Sequence, residues 1–278
     1  MKIILRGVRG SIPTPGPDTA LYGGNTSCVE VSEDGWMLVL DGGSGMRISN
    51  TDIRPANKRI DILLTHLHLD HIMGLGFFKP FFDPELEVHI WGPASSVQTL
   101  YARLSRYLSP PLFPVLIRDL PCRLNFHEIE DSVFEIGPFT IQSAYVIHPG
   151  PTLGFRIRGR NSVFTFIPDH EPALGTNGIL ENSQWISGID LASGADLLLH
   201  DAQFTTEEYS FRIGWGHSSM DDTLRFASIA GVKHLLLGHH DPSHSDEILN
   251  NLLADLRERY NYVFKYELAA EGMELQLK

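Results

Sequence analysis

Apolar residues along this chain gather in short runs bounded by turn formers, the pattern of buried or half-buried strands. Such runs occupy Met37–Leu40, Ile60–Leu64, Val88–Trp91, Thr140–Ile147, Leu153–Ile157, Val163–Ile167, Asp196–Leu199 and His234–Leu237. The opening MKIILRGVRG reads as a first strand, its apolar run between charges being too short for a signal peptide. Helical spacing intervenes. Ser95–Leu108 carries an apolar stripe at Val97, Leu100, Leu104 and Leu108. Ser219 can cap a helix to Ala230, with Asp222 at the third position. Ser245 can open another, with Leu249, Leu252, Leu253 and Leu256 inward. Strands and helices alternate without the even rhythm of a barrel. The fold expected is therefore α/β (α+β), two mixed sheets covered by helices in a four-layer αββα sandwich.

Composition narrows this picture. With 278 residues and no linker, charge block or low-complexity stretch, residues 1–278 read as one domain with chain enough for a real core. No segment approaches the ~18 apolar residues of a membrane span, and no membrane partner is expected. Two cysteines, Cys28 and Cys122, make no disulfide framework, so a reducing, cytoplasmic setting is expected. The formal charge of −12 argues against strong nucleic-acid binding, which needs lysine and arginine to displace counterions.

The candidate chemistry sits behind the run Ile60–Leu64. In LLTHLHLDHIMG, three histidines and an aspartate occupy the six positions from His66 to His71. In near-extended backbone His66 and His68 point the same way, and Asp70 and His71 follow where the chain turns. Imidazoles and a carboxylate suit a borderline divalent ion such as zinc, with manganese or iron as alternatives. A lone histidine here would be an ordinary solvated loop residue, but four ligand types at one strand end are not. One tetrahedral ion cannot easily use all four, which suggests two adjacent ions. Other apolar runs end on ligand types as well: His148, Asp169 in FTFIPDH, and His239 and His240 in HLLLGHHDP. Any one of them alone would be a turn or capping residue; the repetition is what counts.

THLHLDH, followed in order by His148, Asp169 and His239, resembles the metallo-β-lactamase fold superfamily. LRGVRGSIPTPG, YGGNTSCVEV, LVLDGGSG, HDAQF, GHSS and LGHHDP are similar to its phosphodiesterase branch, which includes ribonuclease Z and the phosphoribosyl cyclic phosphate phosphodiesterase. The likeness runs from the first strand to about Asp246. It implies that His66, His68 and His148 hold one zinc, that Asp70, His71 and His239 hold the other, and that Asp169 bridges them. His240, beside His239, is the alternative ligand or a substrate contact. The resemblance also implies His217 as a general acid or phosphate contact, Asp201 as its orienting partner, and Asp41 as a carboxylate behind the histidine box. Asp70 joins the catalytic set through its ion.

Two ions held roughly 3.5–4 Å apart by one carboxylate can deprotonate a bridging water and offset charge building on phosphoryl oxygens. No G-x-S-x-G supports a serine nucleophile instead. His217 lies just before the helix that Ser219 caps, where helix-end N–H groups could seat a phosphate oxygen. The stretch from about His170 to Leu199, loop-like over ALGTNGILENSQWISG, is short and not basic, unlike the long arm with which ribonuclease Z grips transfer RNA. The alternating Arg156, Arg158 and Arg160 read as a solvated strand face. Of Phe77, Phe78, Phe81 and Phe82 in GFFKPFFDP, not all can be inward, and the rest can wall a substrate mouth. The expectation is a dinuclear-metal phosphodiesterase acting on a small or cyclic phosphodiester, with a homodimer left open. A thioester or lactam hydrolase of the same fold and a non-catalytic ligand sensor are the alternatives.

Overall fold

Strict side-chain alternation builds the molecule. In Trp36–Leu40, Leu38 and Leu40 face one way while Met37 and Val39 face the other, and both sets are buried. A strand apolar on both faces must be covered on both sides. The computed structural model describes residues 1–48, 55–172, 179 and 183–278. Its first half contributes β1 (Lys2–Gly7), β2 (Cys28–Glu33), β3 (Trp36–Leu40), β4 (Arg59–Leu63), α1 (Leu69–Ile72), β5 (Glu87–Pro93), α2 (Leu100–Tyr107) and β6 (Arg123–Ile129). Its second half contributes β7 (Ser132–Ile136), β8 (Phe139–Tyr145), β9 (Leu153–Arg158), β10 (Val163–Ile167), α3 (Ile189–Ala192), β11 (Leu197–Asp201), α4 (Thr206–Ser210), α5 (Met220–Ala230), β12 (His234–Gly238), α6 (Asp246–Arg259) and β13 (Lys265–Leu268). β14 (Glu274–Gln276) returns to the first half.

Two seven-stranded sheets result, ordered β14-β1-β2-β3-β4-β5-β6 and β13-β12-β11-β10-β9-β8-β7. Both are mixed. β3 to β6 run parallel, as do β10 to β13, while the remaining pairs are antiparallel. Three apolar layers separate four layers of structure. One, with Leu38, Leu63, Phe155 and Phe164, lies between the sheets. Another packs α1, α2 and neighbouring turns on the first sheet, through Ile62, Ile90 and Leu104. The third packs α3, α5 and α6 on the second, through Leu198, Leu224 and Leu253. This is the expected αββα sandwich. Among the described residues no helix is long and apolar enough to cross a membrane.

Several boundaries differ from expectation. The helix expected from Ser95 starts at Leu100, because Thr99 accepts the amide of Ala102 and caps it there. Val97 is consequently outside the stripe and 84% exposed. The strand expected to reach Ile147 ends at Tyr145, leaving His148 in the turn beyond it. Caps at Ser219 and Ser245 fall where the sequence places them. Arg158 and Arg160 are exposed, as a solvated face requires, with Arg160 pairing with Asp34 at the surface, whereas the half-buried Arg156 donates to the carbonyls of Leu191 and Ser193 at the end of α3. Of the four phenylalanines, Phe78 and Phe81 are core, while Phe77 and Phe82 are exposed. Within the loop-like stretch, residues 173–178 and 180–182 lie outside the described residues. The flanking Ser183–Trp185 form one 3-10 turn.

Candidate metal centre

In a parallel array the loops after the strands all emerge on one edge, so side chains distant in sequence converge there. The loop after β4 carries His66 and His68, and α1 follows at once, with Asp70 and His71 in its single turn. The turn after β8 brings His148, the end of β10 brings Asp169, and the end of β12 brings His239. Candidate ligand atoms of His66, His68 and His148 lie within 4.8 Å of one another, as do those of Asp70, His71, Asp169 and His239. Asp169 touches both groups. Its Oδ2 is 3.7 Å from His66 Nε2 and 3.6 Å from His148 Nε2. Its Oδ1 is 3.1 Å from His71 Nε2 and 3.2 Å from His239 Nδ1.

The protein has already committed the far side of these rings. His71 Nδ1 lies 2.7 Å from Asp41 Oδ2, His66 Nδ1 lies 3.1 Å from the Thr65 hydroxyl, and His148 Nδ1 donates to the Gly216 carbonyl at 2.8 Å. Such outer contacts fix ring orientation and leave the inner nitrogen as a lone pair. Asp41 is itself over-determined. It accepts from the Thr65 amide and hydroxyl and from Ser27, and its backbone is held at a positive φ of 57°. The inner atoms, in contrast, lack partners. Among the described residues, His66 Nε2, His71 Nε2, Asp169 Oδ1 and both nitrogens of His239 are buried without a hydrogen-bond partner. Buried polar atoms are rarely left so. A shared cation is the economical explanation, and the donor set of imidazole and carboxylate fits a divalent ion.

The electrostatics agree. Burial pushes the His66, His68 and His148 imidazoles below their ordinary value, so they are neutral and able to donate a lone pair. Burial also opposes charge on His71 and His239, but Asp169 and its neighbouring carboxylates outweigh it, raising His71 strongly and His239 to about 9. Asp169 moves oppositely. Burial would raise it, yet His239, His71 and His66 hold it far below the usual carboxylate range. The pocket demands positive charge.

His240 is not part of this cluster. Its Nε2 bonds the Ala269 carbonyl, its ring lies against Tyr22, and burial lowers it to about 3. The reason is backbone geometry: His239 adopts a left-handed φ of 56°, and consecutive side chains diverge. The expectation that His240 is a ligand or substrate contact is therefore corrected. Gly10 allows the placement of His239, since a Cβ there would stand 2.3 Å from His239 Cδ2.

His217 and Asp201 meet beside the cluster. His217 Nδ1 lies 2.7 Å from Asp201 Oδ2, and the His217 ring stacks on His239 at 4.8 Å between centroids. Ligand-type atoms of His217, His148 and Asp169 also fall within 4.8 Å of one another. Around the start of α5, where open N–H groups are expected, three of them are engaged. Ser218 N donates to Asp201, Met220 N to the Phe204 carbonyl, and Asp222 N to Ser219 Oγ. What faces the cluster is the imidazole itself. Sequence reasoning missed Ser27, Thr65, Gly10 and Gly216, whose roles appear only in contact. It also passed over Glu171, a buried carboxylate in the same PDHEP that supplies Asp169.

Residues 37–240 match the family model described as a beta-lactamase superfamily domain. A ribonuclease Z of Streptococcus suis (strain 98HAH33) is 27% identical, over 86% of this chain and 88% of that protein. The short form of human tRNase Z superposes with a TM-score of 0.70 at 19% identity, all of each chain being covered. A diphosphatase of the PhnP family superposes with a TM-score of 0.66 at 19% identity, over 100% of this chain and 98% of that one.

Proposed function

The chain belongs to the beta-lactamase superfamily, and from that premise we propose that it is a metal-dependent phosphodiesterase whose substrate is a small or cyclic phosphodiester. One observation carries the reading: two ligand groups share Asp169, and the His217–Asp201 pair stands beside them. His66, His68 and His148 would hold one divalent ion and Asp70, His71 and His239 the other, with Asp169 common to both. Zinc suits the set best. When bound, the ions would supply an activated water and offset charge on the phosphoryl oxygens. The chain's own part is to hold those ligands rigidly and to present an oriented imidazole. Asp201 receives the Nδ1–H of His217, so the Nε2 edge is left for the substrate. There it can protonate the leaving alkoxide or pair with a phosphoryl oxygen.

The preference for small substrates is supported by charge. The chain carries 22 basic against 34 acidic residues, and residues 170–199 contain no lysine or arginine. A nuclease gripping a long polyanion needs the opposite. Exposed Phe77 and Leu69, which follow and interrupt the histidine box, support an apolar wall able to meet a base or sugar. We read residues 1–278 as a single hydrolase domain.

The test is a substrate panel on purified, metal-replete protein: bis(p-nitrophenyl) phosphate, cyclic nucleotides, a thioester, a lactam and a transfer RNA precursor. Turnover of phosphodiesters in preference to the thioester and lactam is expected. Efficient removal of a transfer RNA 3′ trailer at physiological salt would overturn the small-substrate preference, and turnover of the lactam or thioester alone would overturn the phosphodiesterase reading.

A further inference from the structure

Glu171 is the second residue after Asp169, yet it points into protein rather than towards the ligand cluster. Its side chain is buried, and three donors converge on it. Oε1 accepts the Tyr209 hydroxyl at 2.9 Å and the Gly214 amide at 2.8 Å, while Oε2 accepts the Gly216 amide at 2.7 Å. Its own amide donates to the Ile147 carbonyl at 2.8 Å, immediately before His148. One residue therefore joins three pieces: the end of β10, the turn that carries His148, and the loop 211–217 that ends on His217.

That loop is built to lie close. Gly214 and Gly216 both adopt φ of 87°, which side chains with a Cβ rarely adopt. A Cβ at Gly216 would fall 2.2 Å from Pro149 Cδ and 2.5 Å from His148 Nδ1. In return the Gly216 carbonyl receives the Nδ1–H of His148. The hydrogen-bond chain is continuous. Tyr209 and the carboxylate fix Gly216, Gly216 fixes the tautomer and tilt of His148, and the next residue is His217.

We propose that Glu171 is a positioning residue, whose buried carboxylate staples the loop 211–217 so that Gly216 orients His148 for metal and His217 for substrate. This rests on the reading of the site as a metal-dependent phosphodiesterase. Charge matters as well as shape, because hydrogen bonds from neutral donors to a carboxylate are about twice as strong as neutral pairs. A glutamine is isosteric but wrong. An amide offers one acceptor oxygen and one NH2 donor. Whichever way it is turned, the NH2 meets the amide of Gly214 or of Gly216, and one arm of the staple opens.

Two measurements test this. The first needs no substrate: competition with a chromophoric zinc chelator, for wild type and Glu171→Gln, alongside melting temperature. Outer contacts of this type are worth about ten- to a hundredfold in metal affinity, and a loss of that size is expected in a folded variant. The second is a double-mutant cycle with His217→Ala at saturating metal, read as kcat on an alkyl phosphodiester. Glu171→Gln should cost much less when His217 is already absent, because it acts partly through that ring. Wild-type zinc affinity together with a kcat loss that multiplies in full with that of His217→Ala would overturn the proposal. Should Glu171→Gln not fold, Tyr209→Phe removes one donor and leaves the carboxylate, and it should show both effects at smaller size; its showing neither would overturn the proposal equally. If no phosphodiester is turned over at all, the functional reading fails while the zinc titration still decides the role of Glu171.

Discussion

Replacing His217 with alanine separates an acid acting on substrate from a metal ligand, and the structure makes the substitution clean. The carboxylate of Asp201 receives four donors: His217 Nδ1 at 2.7 Å and the amides of His170, Gln203 and Ser218 at 3.0, 3.1 and 3.2 Å. His170 N and His217 share the same oxygen, so alanine at 217 leaves neither carboxylate oxygen unpaired. Folding and metal content should survive. Loss of a positioned general acid costs about 10²–10⁴ in rate, or about 3–5 kcal/mol of barrier. The loss should be largest for an alkoxide leaving group and should shrink for p-nitrophenolate, which needs little protonation. Asp201→Asn is a less clean probe than the sequence suggests. Its NH2 group must face at least one backbone donor, at a cost of about 1–3 kcal/mol in stability. The assay is kcat on an alkyl phosphodiester and on bis(p-nitrophenyl) phosphate, with elemental analysis of the same samples. Loss of one metal equivalent by His217→Ala, a real alternative given its closeness to His148 and Asp169, would refute the reasoning. So would full activity on the alkyl substrate.

Further outcomes follow from the same contacts. Wild-type protein should carry two metal equivalents, and Asp169→Ala should lower occupancy of both positions; a single ion indifferent to that substitution would remove the shared-carboxylate arrangement. Gly10→Ala, whose Cβ would strike His239, should weaken metal binding at the Asp70–His71–His239 group without abolishing folding, which chelator competition will read. Acid should destabilise the protein in part through His200, which burial lowers to about 4. Because the folded value lies below the unfolded value of about 6.5, this contribution is intact above pH 6.5 and is lost as pH falls towards 4. It amounts to about 3 kcal/mol at the acid end. Urea midpoints at pH 7 and pH 4 should therefore differ less in His200→Gln than in wild type.

Local sequence determined most of the strands, two of the helix caps and the identity of the chemistry. Apolar alternation is a local property, so β10 and the Ser219 and Ser245 caps fall where the sequence places them. The histidine box is local too, and its meaning depends on only six positions. Of the strands that the apolar runs did not mark, β6, β7, β13 and β14 are the edge strands of the two sheets, with half-exposed faces where the apolar signal is diluted, and the interior β2 entered only through the resemblance. Tertiary structure alone places His239 rather than His240 within the cluster. Nothing in the residue types distinguishes them, and the choice turns on a left-handed backbone and a carbonyl at Ala269. It alone gave Gly216 and Glu171 their partners, because a hydrogen bond between Glu171 and Gly216 joins positions 45 residues apart. A carboxylate reads the same in any sequence, but what it holds depends on which loops the parallel strands deliver to the same edge.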